Sequence, residues 1–232
     1  MFLGLFTTDA RADAEPKTVI ALFDLSDSTP AHRTDYRKYF EKVVGASEAG
    51  DVLIAARIAA EPFAASNLIK RTDIPVFSVL ERGGKAAHEA KVRAARRGIL
   101  EAADKALADL SAETPILDTL MLVERQFVSA PNSRKVLVLF SDMKEFTKAG
   151  KINFESPRAP LDRAVIEKLI VELVAKGRIA NLRGVKVFVA GARERDPKRY
   201  GQVRDFWFAY FAKAGAALDP NDYGPDRLRF AP

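Results

Sequence analysis

The sequence predicts a single α/β domain with a doubly wound, mostly parallel β-sheet, helices on both faces and one antiparallel edge strand. Short apolar runs alternate along the chain with longer amphipathic segments. Strands separated by helices need crossover connections, and these connections produce a parallel sheet that is covered on both faces. The second and third apolar runs have no helical segment between them, so one of these two strands is expected to be the antiparallel edge. No linker divides residues 17–232, which are predicted to form one domain.

The strand predictions rest on apolar runs that are bounded by charged residues, glycine or proline. Runs of this kind are typical of strands buried on both faces of a sheet. The predicted strands are residues 18–23, 52–56, 75–80, 136–140 and 185–190, with a short last strand at residues 228–230.

The helix predictions rest on apolar residues spaced three or four apart and on long stretches without proline. The predicted helices are residues 30–44, 85–110, 115–128, 161–179 and 197–214. In the first of these, one face carries Tyr36, Tyr39, Phe40 and Val43, and in the fourth the predicted inward residues are Val165, Leu169, Leu173 and Val174. The last helix is rich in aromatic residues, which are expected in the core: Phe206, Trp207, Tyr210 and Phe211.

Composition excludes several kinds of site. The 232 residues include no cysteine, which excludes disulfides, thiolate metal sites and cysteine nucleophiles. No apolar run approaches the roughly 18 residues that a membrane-spanning helix needs. The net charge of +6 favours acidic partners. The basic stretches 82–97 and 176–204 are interspersed with acidic residues, so we expect solvated surfaces there and no nucleic-acid interface.

The first residues have features of a processed segment. Met1 to Phe6 is apolar, and the small-residue tripeptide Ala12-Asp13-Ala14 is of the kind that signal peptidase cuts after. Residues 1–14 are therefore interpreted as the remnant of a signal peptide, which predicts a mature chain that begins at Glu15 and is exported to the periplasm or outside the cell. The alternatives are a disordered N-terminal arm and a cytoplasmic protein.

Polar residues follow the two most apolar strands. Strand 18–23 leads into Asp24-Leu-Ser26-Asp-Ser28, and strand 136–140 leads into Ser141-Asp142. Because ligands of doubly wound sheets bind at the carboxyl ends of the strands, we expect both carboxylates at the same edge. Carboxylate and hydroxyl oxygens are hard ligands that suit Mg²⁺, Mn²⁺ or Ca²⁺ and not zinc or copper.

The Asp24-x-Ser26-x-Ser28 motif after a first apolar strand resembles the metal-ion-dependent adhesion site of von Willebrand factor A and integrin inserted domains. That family adds a threonine between two helices and an aspartate after the fourth strand. The matching positions here are Thr114 and Asp142. The resemblance covers residues 17–232 and implies a Rossmann-like von Willebrand factor A fold. It also implies a Mg²⁺ ion (or Mn²⁺ or Ca²⁺) held by Asp24, Ser26, Ser28, Thr114 and Asp142.

One departure from the family pattern lies at the second aspartate. Where the family often has Thr-Asp-Gly, this chain has Ser141-Asp142-Met143. The side chain of Met143 is expected to alter the loop, while the carboxylate is retained. Ser28 or Thr29 ahead of Pro30, and Thr114 ahead of Pro115, are also good helix N-caps, so capping is an alternative interpretation of these residues. Surface solvation or capping is expected for Asp27 and Asp118.

By implication, the function is recognition of a protein partner whose Asp or Glu completes the coordination of the metal, without catalysis. Two alternatives stay open. The first is a metal-dependent, phosphatase-like hydrolase that uses Asp24, although phosphatases of the haloacid dehalogenase type need Asp-x-Asp and the third residue here is Ser26. The second is a degenerate scaffold domain that binds no metal.

Overall fold

The computed structural model describes residues 15–26, 28–148, 152–156, 159–225, 228 and 230. The elements of this part of the chain are β1 (Lys17–Asp24), α1 (Arg33–Gly45), β2 (Val52–Ile58), β3 (Leu68–Asp73), α2 (Gly84–Ala106), α3 (Ile116–Val128), β4 (Arg134–Phe140), α4 (Arg163–Ala175), β5 (Val185–Ala190), α5 (Pro197–Ala214) and β6 (Ala217–Gly224). The signal-peptide interpretation of residues 1–14 lies outside the described residues. In the part of the chain described, no helix is long and apolar enough to cross a membrane.

The strands form a six-stranded sheet in the order β3-β2-β1-β4-β5-β6. All neighbouring pairs are parallel except β2 and β3, which run antiparallel at one edge. The strand β1 lies in the middle of the sheet, and every one of its residues is buried. The predicted fold class, a doubly wound and mostly parallel sheet with one antiparallel edge strand, is confirmed.

Alternate residues of the central strands supply two separate cores. Ile20 and Leu22 point to the face that α3, α4 and α5 cover. Val19, Ala21 and Phe23 point to the face that α1 and α2 cover. Successive side chains of a strand point to opposite faces, so an unbroken apolar run is what a strand covered by helices on both sides requires.

The helix α5 fills most of one core with aromatic side chains, as predicted. Phe206, Trp207, Tyr210 and Phe211 are all fully buried. Two of their polar atoms have partners: Trp207 Nε1 donates to the carbonyl of Met143 at 2.8 Å, and Tyr210 Oη accepts from the Ala180 amide at 3.1 Å. The first of these bonds ties the core helix to the loop after β4.

The predicted strand at residues 75–80 is wrong, and β3 occupies the sheet edge in its place. The segment contains Pro75, which has no N–H to donate to a ladder. It folds into a turn in which the Ser78 carbonyl accepts from the Glu81 amide at 2.9 Å. The strand β3 has a polar sequence because an edge strand faces solvent. An apolar run alone does not distinguish a buried strand from an exposed loop.

The predicted last strand at residues 228–230 lies partly outside the described residues, and neither Leu228 nor Phe230 belongs to a strand. In the described part of the chain the last strand is β6, which pairs parallel with β5. Its polar sequence includes Pro220, which is tolerated at a sheet edge because no ladder bond is needed there. Leu228 is instead a buried side chain of one core, and the ring centroid of Phe230 lies 5.3 Å from that of Phe188.

The predicted helices all exist, with shorter bounds for some of them. The first begins at Arg33, because residues 30–32 form a short 3₁₀ turn ahead of it. In α4 the buried side chains are Ile166 and Leu173, whereas Val174, which was predicted to point inward, is 43% exposed. The apolar composition of α4 leaves its inward face ambiguous in the sequence.

Candidate metal centre

Asp24 ends β1 at the carboxyl edge of the sheet and is completely buried. Its Oδ1 atom accepts from the Ser26 amide at 2.9 Å, and its Oδ2 atom accepts from the Ser141 hydroxyl at 2.7 Å. The strands β1 and β4 are neighbours, and Phe23 pairs with Phe140. Asp24 follows Phe23 and Ser141 follows Phe140, so the two residues lie side by side. Their hydrogen bond fixes the orientation of the Asp24 carboxylate.

The loop after β1 brings two hydroxyls together. Ser26 Oγ lies 3.0 Å from Ser28 Oγ. Thr29 closes this loop, because its hydroxyl donates to the carbonyls of Asp24 at 3.0 Å and Ser26 at 2.9 Å. The Thr29 amide also donates to the Ser26 carbonyl at 3.1 Å. This turn holds Ser26 and Ser28 side by side.

Asp142 follows β4 and joins the same group of oxygens. Its Oδ1 atom accepts from the Lys144 amide at 3.0 Å. The Ser28 side chain also acts on this carboxylate, because it favours the ionised form and lowers the pKa of Asp142. Met143 adopts a left-handed backbone with φ of 66°, which costs a non-glycine residue roughly 1 kcal/mol. The fully buried Met143 side chain packs in the core under α5, so packing holds the strained residue in place.

Thr114 lies in the segment before α3 and is buried. Its amide donates to the Phe146 carbonyl at 2.8 Å, and its carbonyl accepts from the Phe146 amide at 3.1 Å. In the same segment, the Ser111 amide donates to the Leu25 carbonyl at 2.9 Å. Residues 111–114 are thus joined both to the loop after β1 and to the loop after β4. Among the described residues, the structure gives no hydrogen bond from the Thr114 hydroxyl to the other four predicted ligands.

The two carboxylates of the site carry raised pKa values. Burial is the main cause at Asp24 and the nearby charge of Asp142 the second, and together they raise the pKa of Asp24 to about 7 against the opposing hydrogen bonds from Ser141 and Ser26. Burial also raises the pKa of Asp142. Within the described part of the chain, neither carboxylate forms an ion pair. The site is therefore rich in buried oxygen, and the positive charge of Lys144, which favours the ionised form of Asp142, lies beyond ion-pair distance.

The oxygens of this site fit a hard divalent cation. Nowhere among the described residues do three His, Asp or Glu side chains come together. The site instead combines two carboxylates with neighbouring hydroxyls, a donor set that suits Mg²⁺, Mn²⁺ or Ca²⁺. The structure brings together Asp24, Ser26, Ser28 and Asp142 by direct bonds and charge, and it brings Thr114 to the same edge by its backbone.

Two residues that position the site were not predicted as members of it. Ser141 is one, and the signal for it was its place directly after β4, next to the strand that ends at Asp24. Arg33 is the other: its Nη2 atom donates to the Leu25 carbonyl at 2.9 Å and its Nη1 atom to the Leu107 carbonyl at 2.6 Å. These contacts join the segment after α2 to the loop after β1. Arg33 and Leu107 are 74 positions apart, so sequence spacing alone does not reveal this contact.

A cleft opens beside Ser28, and basic side chains line much of it. Lys144, Arg193 and Arg195 contribute positive charge. Lys144 Nζ lies 3.0 Å from Glu194, the single acidic residue of the lining, and Arg193 Nη2 lies 3.7 Å from Asp35 outside it. A cleft of this kind favours a negatively charged ligand next to the loop after β1.

Residues outside the centre have structural partners. Asp118 forms an ion pair with Arg178, as expected for a surface residue of α3. His32 Nδ1 lies 2.7 Å from Arg193 Nη1. The prediction for Asp27 lies outside the described residues.

The doubly wound sheet, its antiparallel edge strand and the polar segments at one edge agree with the resemblance drawn from the sequence. The chain has the Rossmann-like sheet that the resemblance to von Willebrand factor A domains implies. Neither a family model nor a curated protein sequence matches it.

Solved structures to which this chain is similar have low sequence identity to it. A von Willebrand factor type A protein from Catenulispora acidiphila is 13% identical, with 87% of this chain and 42% of that chain covered and a TM-score of 0.43. Proximal thread matrix protein 1 from the mussel byssus, with a zinc-occupied MIDAS motif, is 14% identical, with 76% and 36% covered and a TM-score of 0.41. The PilB minor pilin from Streptococcus sanguinis is 13% identical, with 88% and 62% covered and a TM-score of 0.42. This chain thus spans less than two thirds of the length of each of the three.

Proposed function

We propose that this chain is a protein-recognition domain that depends on a divalent metal. Asp24, Ser26, Ser28, Thr114 and Asp142 would hold Mg²⁺, or Mn²⁺ or Ca²⁺. The observation that supports the proposal is a pair of buried carboxylates that lie among hydroxyls and have no ion-pair partner in the described residues. Burying a charged group without a counter-ion is unfavourable. A cation bound beside Asp24 and Asp142 would offset this cost.

The protein supplies the orientation of the ligands. Ser141 and the Ser26 amide hold the two oxygens of Asp24. The Lys144 amide holds one oxygen of Asp142. A bound cation would supply the missing positive charge and a coordination position for a carboxylate from outside. With two carboxylates and otherwise neutral hydroxyls, the protein leaves the cation short of negative ligands.

The chemistry of the neighbouring cleft indicates an acidic partner. Lys144, Arg193 and Arg195 line the cleft beside Ser28. If an Asp or Glu of a partner segment reached the metal, the residues on either side of it in the partner would lie in this cleft. Complementary charge raises the rate of encounter and selects acidic over basic segments.

Calorimetry tests the metal and the partner separately. Mg²⁺ and Mn²⁺ are titrated into wild type, into Asp24→Asn and into the surface control Asp205→Asn. An oligo-glutamate peptide and an oligo-glutamine peptide are then titrated in Mg²⁺ and in EDTA. We expect metal binding in wild type and in the control alone, and binding of oligo-glutamate only when Mg²⁺ is present. Absence of metal binding in wild type at millimolar Mg²⁺ and Mn²⁺ would leave the metal-free scaffold as the function.

A charge reversal separates the cleft from the metal site. Arg195→Glu is expected to weaken the oligo-glutamate peptide about tenfold and to leave the affinity for Mg²⁺ within a factor of two or so, because long-range charge acts on the peptide more than on a coordinated ion. Equal weakening of both ligands would contradict the role of the cleft.

The absence of catalysis is part of the same proposal. Asp24 accepts from the Ser26 amide and from the Ser141 hydroxyl. In the described residues no histidine or lysine hydrogen-bonds the hydroxyl of Ser26 or Ser141 to act as a base. We expect no metal-dependent hydrolysis of p-nitrophenyl phosphate above background. A rate that Asp24→Asn abolishes would establish the phosphatase-like alternative.

Export is proposed from the Ala12-Asp13-Ala14 tripeptide alone. Mass spectrometry of the protein from its native cells is expected to find a chain that starts at Glu15 in the periplasmic or extracellular fraction. An intact chain with Met1 in the cytosol would contradict it.

A further inference from the structure

The segment that follows β3 presents a group of exposed apolar side chains, which we term the apolar tip. It consists of Val76, Phe77, Val79 and Leu80, which are 66%, 45%, 89% and 89% exposed. Scattered surface apolar residues are ordinary, but four within five consecutive positions concentrate exposed apolar surface on one short segment. Such concentrations are typical of sites of interaction.

The apolar tip is held outward by its own turn and by α2. The Leu80 amide donates to the Ser78 hydroxyl at 3.3 Å, inside the turn that the Ser78 carbonyl closes. Glu81 anchors the end of the tip to α2, because its Oε1 atom lies 2.6 Å from Lys91 Nζ and its Oε2 atom 3.3 Å from His88 Nδ1. The ring of Phe77 packs edge-on against His88, with centroids 5.3 Å apart. Val79 and Leu80 are therefore exposed on a loop whose conformation is held by these hydrogen bonds and ion pairs.

Basic residues flank the apolar tip in the sequence. Residues 70–97 contain eight Lys or Arg and three Asp or Glu, which leaves an excess of five positive charges in a chain whose net charge is +6. Arg82 and Lys85 directly follow the tip, are exposed, and form no ion pair with any described residue. The acidic residue next to the tip, Glu81, is already paired with Lys91. The segments that flank the tip in the sequence thus carry a clear excess of positive charge, with Arg82 and Lys85 nearest to it.

The apolar tip and the metal centre lie at opposite edges of the sheet. Asp73 at the end of β3 pairs with Val52 at the start of β2, and the Gly50 amide donates to the Ile74 carbonyl at 3.0 Å. The tip therefore lies near the amino ends of the parallel strands. Asp24 lies at their carboxyl ends. A surface that binds the tip leaves the metal centre open to solvent on the far side.

We propose that the apolar tip docks on an anionic lipid membrane, with Val79 and Leu80 inserted among the acyl chains and Arg82 and Lys85 at the headgroup phosphates. Shallow insertion of aliphatic side chains beside a basic cluster is how peripheral proteins bind anionic membranes. A second copy of the chain would bring the same excess of positive charge against itself. A nucleic acid would not use the aliphatic tip. The docked protein would present its metal centre to partners away from the membrane.

Co-sedimentation of the full chain with vesicles tests the proposal. The vesicles are phosphatidylcholine alone, or phosphatidylcholine mixed with phosphatidylglycerol. The variants are Val79→Ser/Leu80→Ser and Arg82→Gln/Lys85→Gln. Each has a matched control on the exposed face of α4: Val171→Ser, at a valine that is 68% exposed, and Arg163→Gln/Lys168→Gln. Residues 1–14 are the same in all of these chains, so differences among them report on the apolar tip.

We expect binding to the vesicles that contain phosphatidylglycerol, weakened by salt, with at least about a tenfold loss in both tip variants and none in the controls. EDTA and Asp24→Asn are expected to leave this binding unchanged, since the metal centre faces away. Failure of wild type to bind the anionic vesicles, or binding that Val79→Ser/Leu80→Ser leaves intact, overturns the proposal. Binding that EDTA abolishes would assign the contact to the metal centre instead. Sedimentation velocity identifies the remaining case. If wild type is a dimer that does not bind vesicles, and Val79→Ser/Leu80→Ser dissociates this dimer, the proposal is overturned and the apolar tip is a contact between copies of the chain.

Discussion

Asp24 and Asp51 are both completely buried, but the protein treats their charges differently. Asp51, at the amino edge of the sheet, lies 2.7 Å from Lys17 Nζ and accepts from the amides of Lys17 at 2.9 Å and Glu48 at 2.7 Å. Asp24, at the carboxyl edge of the same strand layer, has only hydroxyl and amide donors among the described residues. One carboxylate has a cation from its own chain, and the other does not.

This difference separates a structural carboxylate from a candidate ligand. A buried charge that is paired and hydrogen-bonded stabilises the arrangement around it, whereas a buried charge without a counter-ion destabilises the folded state. Two aspartates of equal burial in one sheet therefore serve as controls for each other. Their substitutions are expected to have opposite consequences for the metal-free protein.

The largest effect is expected from Asp51→Asn. The substitution leaves the Lys17 ammonium, whose residue is 2% exposed, with only the carboxylate of the exposed Glu48 at 3.9 Å. Breaking a buried pair in this way costs about 3–5 kcal/mol. Urea unfolding measures the loss, and the double variant Lys17→Met/Asp51→Leu is expected to recover much of it. A loss below about 1 kcal/mol in Asp51→Asn would show that the pair is better solvated than its burial indicates.

Asp24→Asn is expected to act in the opposite direction. At neutral pH the metal-free variant should be at least as stable as wild type, because asparagine keeps the volume and removes the buried charge. Wild type should gain about 2.7 kcal/mol at a metal concentration one hundredfold above its Kd, and the variant nothing. Thermal unfolding with and without Mg²⁺ measures both effects. Destabilisation of the metal-free Asp24→Asn protein would mean that the negative charge of Asp24 has a structural role like that of Asp51.

Glu145 extends the comparison to a third buried carboxylate. It accepts from the Leu117 amide at 3.0 Å at the start of α3, and burial raises its pKa to about 8. A raised folded-state pKa favours folding fully below the ordinary value of 4.5, and this contribution is lost as pH rises towards 8.

Wild type should thus lose about 1.4 kcal/mol relative to Glu145→Gln for each pH unit within that window. Glutamine retains an acceptor for the amide of Leu117, so it is the matched substitution. Unfolding free energies of the two proteins, compared from pH 4 to about 9 in EDTA, give the difference. A difference that does not change with pH would place the Glu145 pKa near its ordinary value.

The smallest effect is expected from Ser141→Ala. It removes one hydrogen bond to the Asp24 carboxylate, worth about 1–2 kcal/mol when the acceptor is charged. Because Ser141 orients Asp24 and is not a proposed ligand, affinity for Mg²⁺ should fall by about tenfold or less, compared with complete loss in Asp24→Asn. Calorimetry on the two variants decides between these roles. Equal loss in both would add Ser141 to the ligands.

The sequence predicted the centre of the sheet well and its edges poorly. Buried strands such as β1 and β4 are unbroken apolar runs, and the same runs place Asp24 and Asp142 at a common edge. The edge strands β3 and β6 have polar sequences that the pattern does not distinguish from loops. The strongest apolar run outside the sheet, residues 75–80, is the exposed tip, because the same residues suit a core and a contact surface.

The candidate site shows the same limit at the level of single contacts. The ligand types and their order follow from the sequence and the resemblance. The bond between Ser141 and Asp24 depends on which strands are neighbours, and the bridge between Thr114 and Phe146 depends on the path of two loops. Contacts of this kind arise from tertiary packing and have no local signature.

The position of β1 between β2 and β4 also sets the order in which the protein can fold. Asp24 Oδ2 and Ser141 Oγ meet across 117 residues, so no part of the chain shorter than that contains the complete metal centre. Pairing over such a separation comes late, because the entropy of closing the intervening chain must be overcome first. A cation at this centre would therefore bind only the nearly complete fold. In stopped-flow experiments Mg²⁺ should slow unfolding and leave the folding rate almost unchanged.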